Sequence, residues 1–274
     1  MSSHHLIASG RARLAAGVIG RGDPVVFLHA NVCDSRMWVS QVDGVGADHK
    51  AIAYDRRGFG ETRADREDFS AVADLKAVID ALADGAPAIL VGCSQGGRIA
   101  LDAALLHPSS VRALVLIAPS VAGAPEPVYP PDIDAMMTEL KQAEAAGDLD
   151  RVNAMKARAW LDGPLAPEGR VTGEARRLFL EMNGKALRSP PTGSNLDVAP
   201  AFDRLGEITM PSLVIWGDLD FPHIQDRSRH MAATLPNGAG HELPGAAHLP
   251  SLERPVDVTG LLTEFIDRCC CGRG

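Results

Sequence analysis

Ser94 stands between Gly92 and Gly96 in the stretch "PAILVGCSQGGRIALDAALLHP" (87–108), where an apolar run gives way to an Ala/Leu-rich one. A serine at the tip of a sharp strand-to-helix turn sits in a strained backbone conformation, and the residues two positions to either side must be small for the chain to pass. Such a turn lifts the hydroxyl clear of the sheet. It also sets the next backbone N–H, that of Gln95, at a helix N-terminus where developing negative charge is favoured. The chemistry this points to is nucleophilic attack on a carbonyl, which needs a base and an orienting acid in the chain order Ser, Asp or Glu, His. Asp218 and Asp220 follow the apolar run "PSLVIWG" (211–217), and His248 lies in a loop before the last helix-like segment. The competing reading makes Ser94 a helix cap after a glycine turn, since serine is a good N-cap. An acid and a histidine at the expected strand ends favour the nucleophile.

These side chains are far apart in the chain, so their meeting depends on the elements between them. Short runs rich in Val, Ile and Leu recur at 24–29, 50–54, 87–93, 111–119 and 211–217. Continuous apolar strands of this kind are buried on both faces and imply a parallel sheet covered by helices. Helix-periodic segments near 69–83, 94–107, 223–235 and 254–268 alternate with them, which is the α/β pattern. Two weaker strands, near 4–8 and 12–19, would add an antiparallel edge, the second ending at the turn signal "GRGDP". From 121 to 200 the alternation breaks into a proline-rich opening and helical pattern with no strand signal. That stretch reads as an insertion folding over the strands' C-terminal ends.

Taken together, the Gly-x-Ser-x-Gly turn, the acid after "PSLVIWG" and the late histidine resemble the α/β-hydrolase family over almost the whole chain. The resemblance implies an α/β-hydrolase fold: a mostly parallel twisted sheet flanked by helices, with a core of residues 1–120 and 201–274 and a helical cap of 121–200. It implies Asp220 as the acid in preference to Asp218, because the family's acid stands three residues after a strand-ending glycine, here Gly217. The family's Gly-x-x-His followed by Glu and Pro is similar to Gly245-Ala246-Ala247-His248, then Glu253 and Pro255. The oxyanion donors it implies are the N–H groups of Gln95 and of Asn31, with Val32 as the fallback. Ala30 stands where the family often has glycine, and a positive φ there would strain alanine. His29, His223, His241 and His107 read as structural, surface or element-ending residues.

Composition narrows the partners. A net charge of −8, without a run of Lys and Arg, disfavours nucleic acid and anionic membrane. No apolar stretch reaches the roughly 20 residues of a bilayer span, and the N-terminal stretch lacks a signal peptide's apolar segment, so the chain reads as cytoplasmic. Cys269, Cys270 and Cys271 read as a frayed tail rather than a soft-metal site. No motif implies a metal or other cofactor, and nothing excludes a homo-oligomer. The function expected is a serine hydrolase of the carboxylesterase or lactonase kind, cleaving an ester or lactone of a small apolar substrate. Met136, Met137, Trp160 and Phe179 of the insertion are the candidate substrate-binding residues, with Met155 and Met182 beside them. The alternatives are a carbon–carbon bond hydrolase, a cofactor-free haloperoxidase or perhydrolase, and a non-catalytic small-molecule receptor of the same fold. Dehalogenases and epoxide hydrolases of this fold need a carboxylate where Ser94 stands.

Overall fold

Every residue of Pro24–Leu28 is buried, and the same holds for Ala88–Cys93 and Ser212–Gly217. Aliphatic runs without polar alternation suit strands covered on both faces. The computed structural model, which describes residues 3–270, sets them side by side in one sheet. In chain order the strands are β1 (Ser3–Ser9), β2 (Ala12–Ile19), β3 (Pro24–Leu28), β4 (Lys50–Tyr54), the two-residue β5 (Arg63–Ala64), β6 (Ala88–Cys93), β7 (Val111–Ile117), β8 (Ser212–Gly217) and β9 (Gly238–Leu243). Across the sheet they run β1-β2-β4-β3-β6-β7-β8-β9, with β5 beside β2. The first hairpin and the β2–β4 pair are antiparallel, and every neighbouring pair from β4 to β9 is parallel. This is the mixed sheet of the α/β-hydrolase fold, with the antiparallel edge where the sequence puts it.

The helices are α1 (Val39–Val45), α2 (Ala71–Leu82), α3 (Gln95–Leu106), α4 (Pro131–Ala146), α5 (Leu149–Lys156), α6 (Gly173–Leu187), α7 (Pro222–Thr234), the short α8 (Pro250–Glu253) and α9 (Pro255–Cys270). α1 and α9 cover one face, packing Val42, Val258, Leu262 and Ile266 with Phe27, Val91 and Val115. α2, α3 and α7 cover the other, where Leu75, Val78, Ile99 and Met231 meet Val26, Leu90, Leu114 and Val214. α4, α5 and α6 all fall between β7 and β8. Local chemistry sets their ends: Asp148 caps α5 by accepting from Arg151 N at 3.1 Å, and α4 stops at Gly147 in the left-handed conformation, φ 68°.

Four elements lie outside the sequence reading, two of them the very short β5 and α8. α1 is only seven residues long and carries Gly44, too short for a periodic signal; β9, "GAGHEL", is a largely exposed edge strand that lacks the apolar run of its neighbours. The reading of a frayed cysteine tail is corrected for its described part. Cys269 and Cys270 end α9 and pack half-buried against the core, while Cys271 lies outside the described residues. No helix among the described residues is long and apolar enough to cross a membrane.

One buried ion pair holds the loop after β4 to this frame. Arg57 donates from Nε and Nη2 to both Asp74 oxygens, at 2.8 and 3.0 Å, and from Nη2 to the Ser9 carbonyl at 2.8 Å. Removing one member of such a pair leaves an uncompensated buried charge, which costs about 3–5 kcal/mol. Arg57→Met is therefore expected to lower the unfolding free energy read from urea denaturation by a corresponding amount, whereas removing the exposed Lys76–Asp80 pair should change it by no more than about 0.5 kcal/mol.

Candidate active site

Ser94 stands between β6 and α3 with φ 52° and ψ −114°, a conformation L-residues seldom adopt. The glycines around it answer to close backbone approach. A Cβ on Gly92 would lie 2.5 Å from the Gly96 carbonyl oxygen and 2.7 Å from Gly97 N; one on Gly96 would overlap the Leu28 carbonyl; one on Gly97 would sit 2.9 Å from the Pro119 Cβ. Ser94 N donates to the Ile117 carbonyl at 2.9 Å, and Ser120 N donates to the Ser94 carbonyl at 3.1 Å, so the end of β7 staples the turn from one side. Gln95 is the first residue of α3, where the helix leaves its leading N–H groups without intrahelical partners.

The acid and the histidine meet. His248 Nδ1 lies 2.8 Å from Asp220 Oδ2, both side chains enclosed, at 3% and 0% exposure. Asp220 cannot swing away: its Oδ1 accepts from Phe221 N at 2.7 Å, and Gln225 Nε2 donates to its carbonyl at 2.8 Å. Asp218 does another job, accepting from Gly245 N at 2.7 Å through Oδ1 and so fixing the start of the histidine loop. Gly217 is needed because a Cβ there would run into the Ala246 carbonyl. His248 is brought to the serine turn by its own backbone, whose carbonyl lies 3.7 Å from the Cys93 thiol.

The loop after β3 follows the same economy. Cys33 N donates to the Ala30 carbonyl at 3.2 Å, closing a turn with the exposed Asn31 and the buried Val32 at its centre, both N–H groups outside that bond. Ala30 has no positive φ, so the strain expected of alanine at this position does not arise. His29 is structural: Nε2 accepts from Arg56 N at 3.0 Å, which leaves Nδ1 to donate to the Ala30 carbonyl at 2.8 Å. Burial, reinforced by the Arg56 charge, holds its imidazole well below the usual histidine range.

Of the insertion residues, Met136, Met137 and Trp160 are partly exposed and pack with Tyr129 around Ala118, Phe221 and Ile224, beside the acid-bearing turn. The Trp160 and Phe221 rings are 5.7 Å apart. Phe179 is placed differently: it is fully buried, in the same apolar cluster as Ala157, Leu161 and Met182. Met182 is enclosed too, its sulfur 3.5 Å from Asp34 N, and Met155 packs within the insertion. His223, read from sequence as a surface or strand-end residue, instead starts α7 within ring contact of Tyr129 and Phe221; burial pushes it down to about 4. Sequence reasoning also gave Glu253 no role beyond the motif. Its enclosed carboxylate accepts from Ala247 N at 2.8 Å and Leu249 N at 3.1 Å, on both sides of His248.

Elsewhere, a half-open apolar hollow of about 880 Å³ beside β2, walled by Gly17, Ile19, Val39 and Val42, includes none of Ser94, Asp220 and His248. At the opposite, N-terminal edge of the sheet, Asp23, His49 and Cys270 bring potential ligand atoms within 4.8 Å of one another. Arg112 already engages that set, pairing with Asp23 at 3.0 Å and donating to the Cys270 sulfur at 3.7 Å. A resident cation of this kind leaves little reason for a metal.

A strained serine after a central parallel strand and a buried Asp–His pair after the later strands define a class, and comparison with known proteins gives the family. Residues 25–260 match the model of the alpha/beta hydrolase family, and the chain belongs to it. A Mycobacterium tuberculosis protein provisionally named non-heme bromoperoxidase BpoC is 30% identical over 278 residues, covering 90% of this chain and 94% of that one. The pimeloyl-[acyl-carrier protein] methyl ester esterase of Chromobacterium violaceum is 29% identical over 255 residues, covering 91% and 96%. Among solved structures, a thermophilic esterase from Thermogutta terrifontis superposes with a TM-score of 0.75 at 23% identity, covering 98% of this chain and 99% of that one.

The Gly217 contact carries a prediction. A side chain there must push the acid-bearing turn off the histidine loop, an overpacking that typically costs about 1–3 kcal/mol. Gly217→Ala is expected to lower the melting temperature and also to weaken the Asp220–His248 hydrogen bond, read by NMR as loss or upfield movement of the His248 Nδ1 proton signal.

Proposed function

We propose that the protein is a serine hydrolase that cleaves a carboxylic ester or lactone of a small apolar substrate through an acyl-enzyme on Ser94. The observation that carries this reading is the buried 2.8 Å contact of His248 Nδ1 with Asp220 Oδ2, in a loop whose backbone rests against Cys93, the residue before the strained serine. A carboxylate can only accept, so Nδ1 holds the hydrogen and Nε2 is left with its lone pair. As Ser94 Oγ attacks the substrate carbonyl, Nε2 takes its proton, and the oxyanion that forms is received by the N–H groups of Gln95 and Asn31. His248 then returns the proton to the departing alkoxide, leaving the acyl group on Ser94. A water that gives its proton to Nε2 then attacks the ester so formed, and His248 passes that proton to Ser94 Oγ as the acid leaves. Loss of one oxyanion donor typically costs ~10²- to 10³-fold in rate. The partly exposed Met136, Met137 and Trp160 beside Phe221 support an adaptable apolar wall for the substrate.

The bromoperoxidase-named relative favours a second reading of the same site, in which hydrogen peroxide in place of water takes the acyl group as a peracid. Adding peroxide and acetate to the assay and trapping a peracid would decide for it.

A panel of p-nitrophenyl esters and lactones tests the first reading. Turnover is expected for short or medium acyl chains, to vanish in Ser94→Ala, and to fall by ~10⁴ in Asp220→Asn, where the imidazole tautomer is wrong. Equal turnover in wild type and Ser94→Ala would end the proposal, and no turnover of any ester would favour the receptor. The backbone strain at Ser94 gives an independent check: Ser94→Gly, free of a Cβ, is expected to be inactive yet more stable by about 1–3 kcal/mol in urea unfolding.

A further inference from the structure

Arg170 belongs to the insertion, in the loop between the wide turn Ala157–Asp162 and α6, yet its guanidinium bonds to two parts of the chain at once. On the insertion side, Nε donates to the Asp162 carbonyl at 2.7 Å and Nη2 to the Leu161 carbonyl at 2.9 Å. On the histidine side, Nη1 donates to the Gly245 carbonyl at 2.9 Å, and Nη2 pairs with Glu253 Oε2. Glu253 is in turn the group that accepts from Ala247 N and Leu249 N, the residues flanking His248. The insertion side is itself rigid. The enclosed Asp162 carboxylate accepts from Gly169 N at 2.8 Å, from Val171 N at 3.0 Å and from Arg176 Nη1 at 2.9 Å. Gly163, at φ 100°, lies so close to the acid-bearing turn that a Cβ would sit 2.5 Å from the Leu219 carbonyl. The same short loop therefore bears on the turn that carries Asp220 and on the loop that carries His248.

We propose that Arg170 is a positioning residue through which the insertion fixes the His248 loop, so that placement of the imidazole over Ser94 depends on the insertion being docked. The inference rests on the reading of His248 as general base. Arg170 touches no reacting atom in this account. It acts by orienting the Glu253 carboxylate, and Glu253 acts by holding the two peptide groups on either side of His248.

The test uses full-length protein and p-nitrophenyl butyrate, with Arg170→Met and Arg170→Lys made in the wild type and in a His248→Ala background, and with Ser94→Ala as control. Misplacing a catalytic group by about 1 Å can cost ~10²-fold, so Arg170→Met is expected to lower kcat by about ten- to a hundredfold with KM within twofold. Arg170→Lys keeps a cation beside Glu253 but cannot span both sides, and should fall between. In the His248→Ala background, Arg170→Met should change the residual rate by less than twofold, since no base is left to position. A purely structural role would lower both backgrounds alike. The proposal is overturned if a folded Arg170→Met retains wild-type kcat, or if its loss is as large without His248. Should Arg170→Met not fold, Arg170→Lys carries the same comparison and the same criteria. Wild-type turnover in Ser94→Ala would instead remove the hydrolase reading beneath it, whereas loss of turnover in Ser94→Ala and His248→Ala with none in Arg170→Met removes this proposal alone.

Discussion

Between Gly217 and the carbonyl of Ala246 there is no room for a single carbon atom. That constraint sets the separation of two loops that leave neighbouring strands, β8 and β9, and the contact between His248 and Asp220 follows from it. Leu219 N donates to the same Ala246 carbonyl at 2.9 Å, and the Asp218 carboxylate takes Gly245 N, so the two loops are laced together independently of the Asp220 and His248 side chains. The serine turn obeys the same rule on the other side of the site, where Gly96 lies against Leu28. Both halves of the site are thus built from chain crossing chain at the C-terminal edge of a parallel sheet, the place where such sheets leave a crevice.

Much of this was legible in the sequence, for reasons that can be given residue by residue. The strands β3, β4, β6, β7 and β8 announce themselves because burial on both faces demands unbroken apolar runs, and α2, α3, α7 and α9 because one buried stripe demands periodicity. Ser94 could be read because the turn that strains it also demands glycines, and glycines are visible. β9 and α1 could not be read in the same way: an exposed edge strand needs no apolar run, and seven residues are too few for a period. Asp220 and Asp218 are two residues apart with the same side chain, and from sequence only the family resemblance separated them. The structure separates them by partner, one facing an imidazole and the other a peptide N–H. Phe179 shows the reverse limit, since an aromatic on a helix says that it is buried without saying against what.

The least legible part is the charged scaffold behind the site. Glu253, Asp162 and Asp74 are acids enclosed in the protein, each matched to an arginine and, for the first two, to backbone N–H groups as well. Burial pushes the Glu253 carboxyl up, and Arg170 together with the N–H groups of Ala247 and Leu249 offsets only part of that shift. Buried pairs of this kind add little net stability over an apolar core of the same shape, because desolvation offsets most of the attraction. Their return is geometric: a carboxylate with four lone-pair sites can hold several peptide groups in one arrangement where an apolar side chain can hold none.

The two halves of the site are consequently held by unlike means. The serine turn is held by the sheet itself, by hydrogen bonds to the end of β7 and by steric exclusion at its glycines. The histidine loop shares that kind of exclusion at Gly217, but with β9 behind it an exposed edge it depends in addition on side chains reaching in from elsewhere, and one of those, Arg170, comes from the insertion. Elements held by few contacts at a sheet edge open at lower free energy than central strands do. If the site moves, it is therefore the imidazole that moves relative to the serine, with the insertion's grip on Glu253 deciding how far.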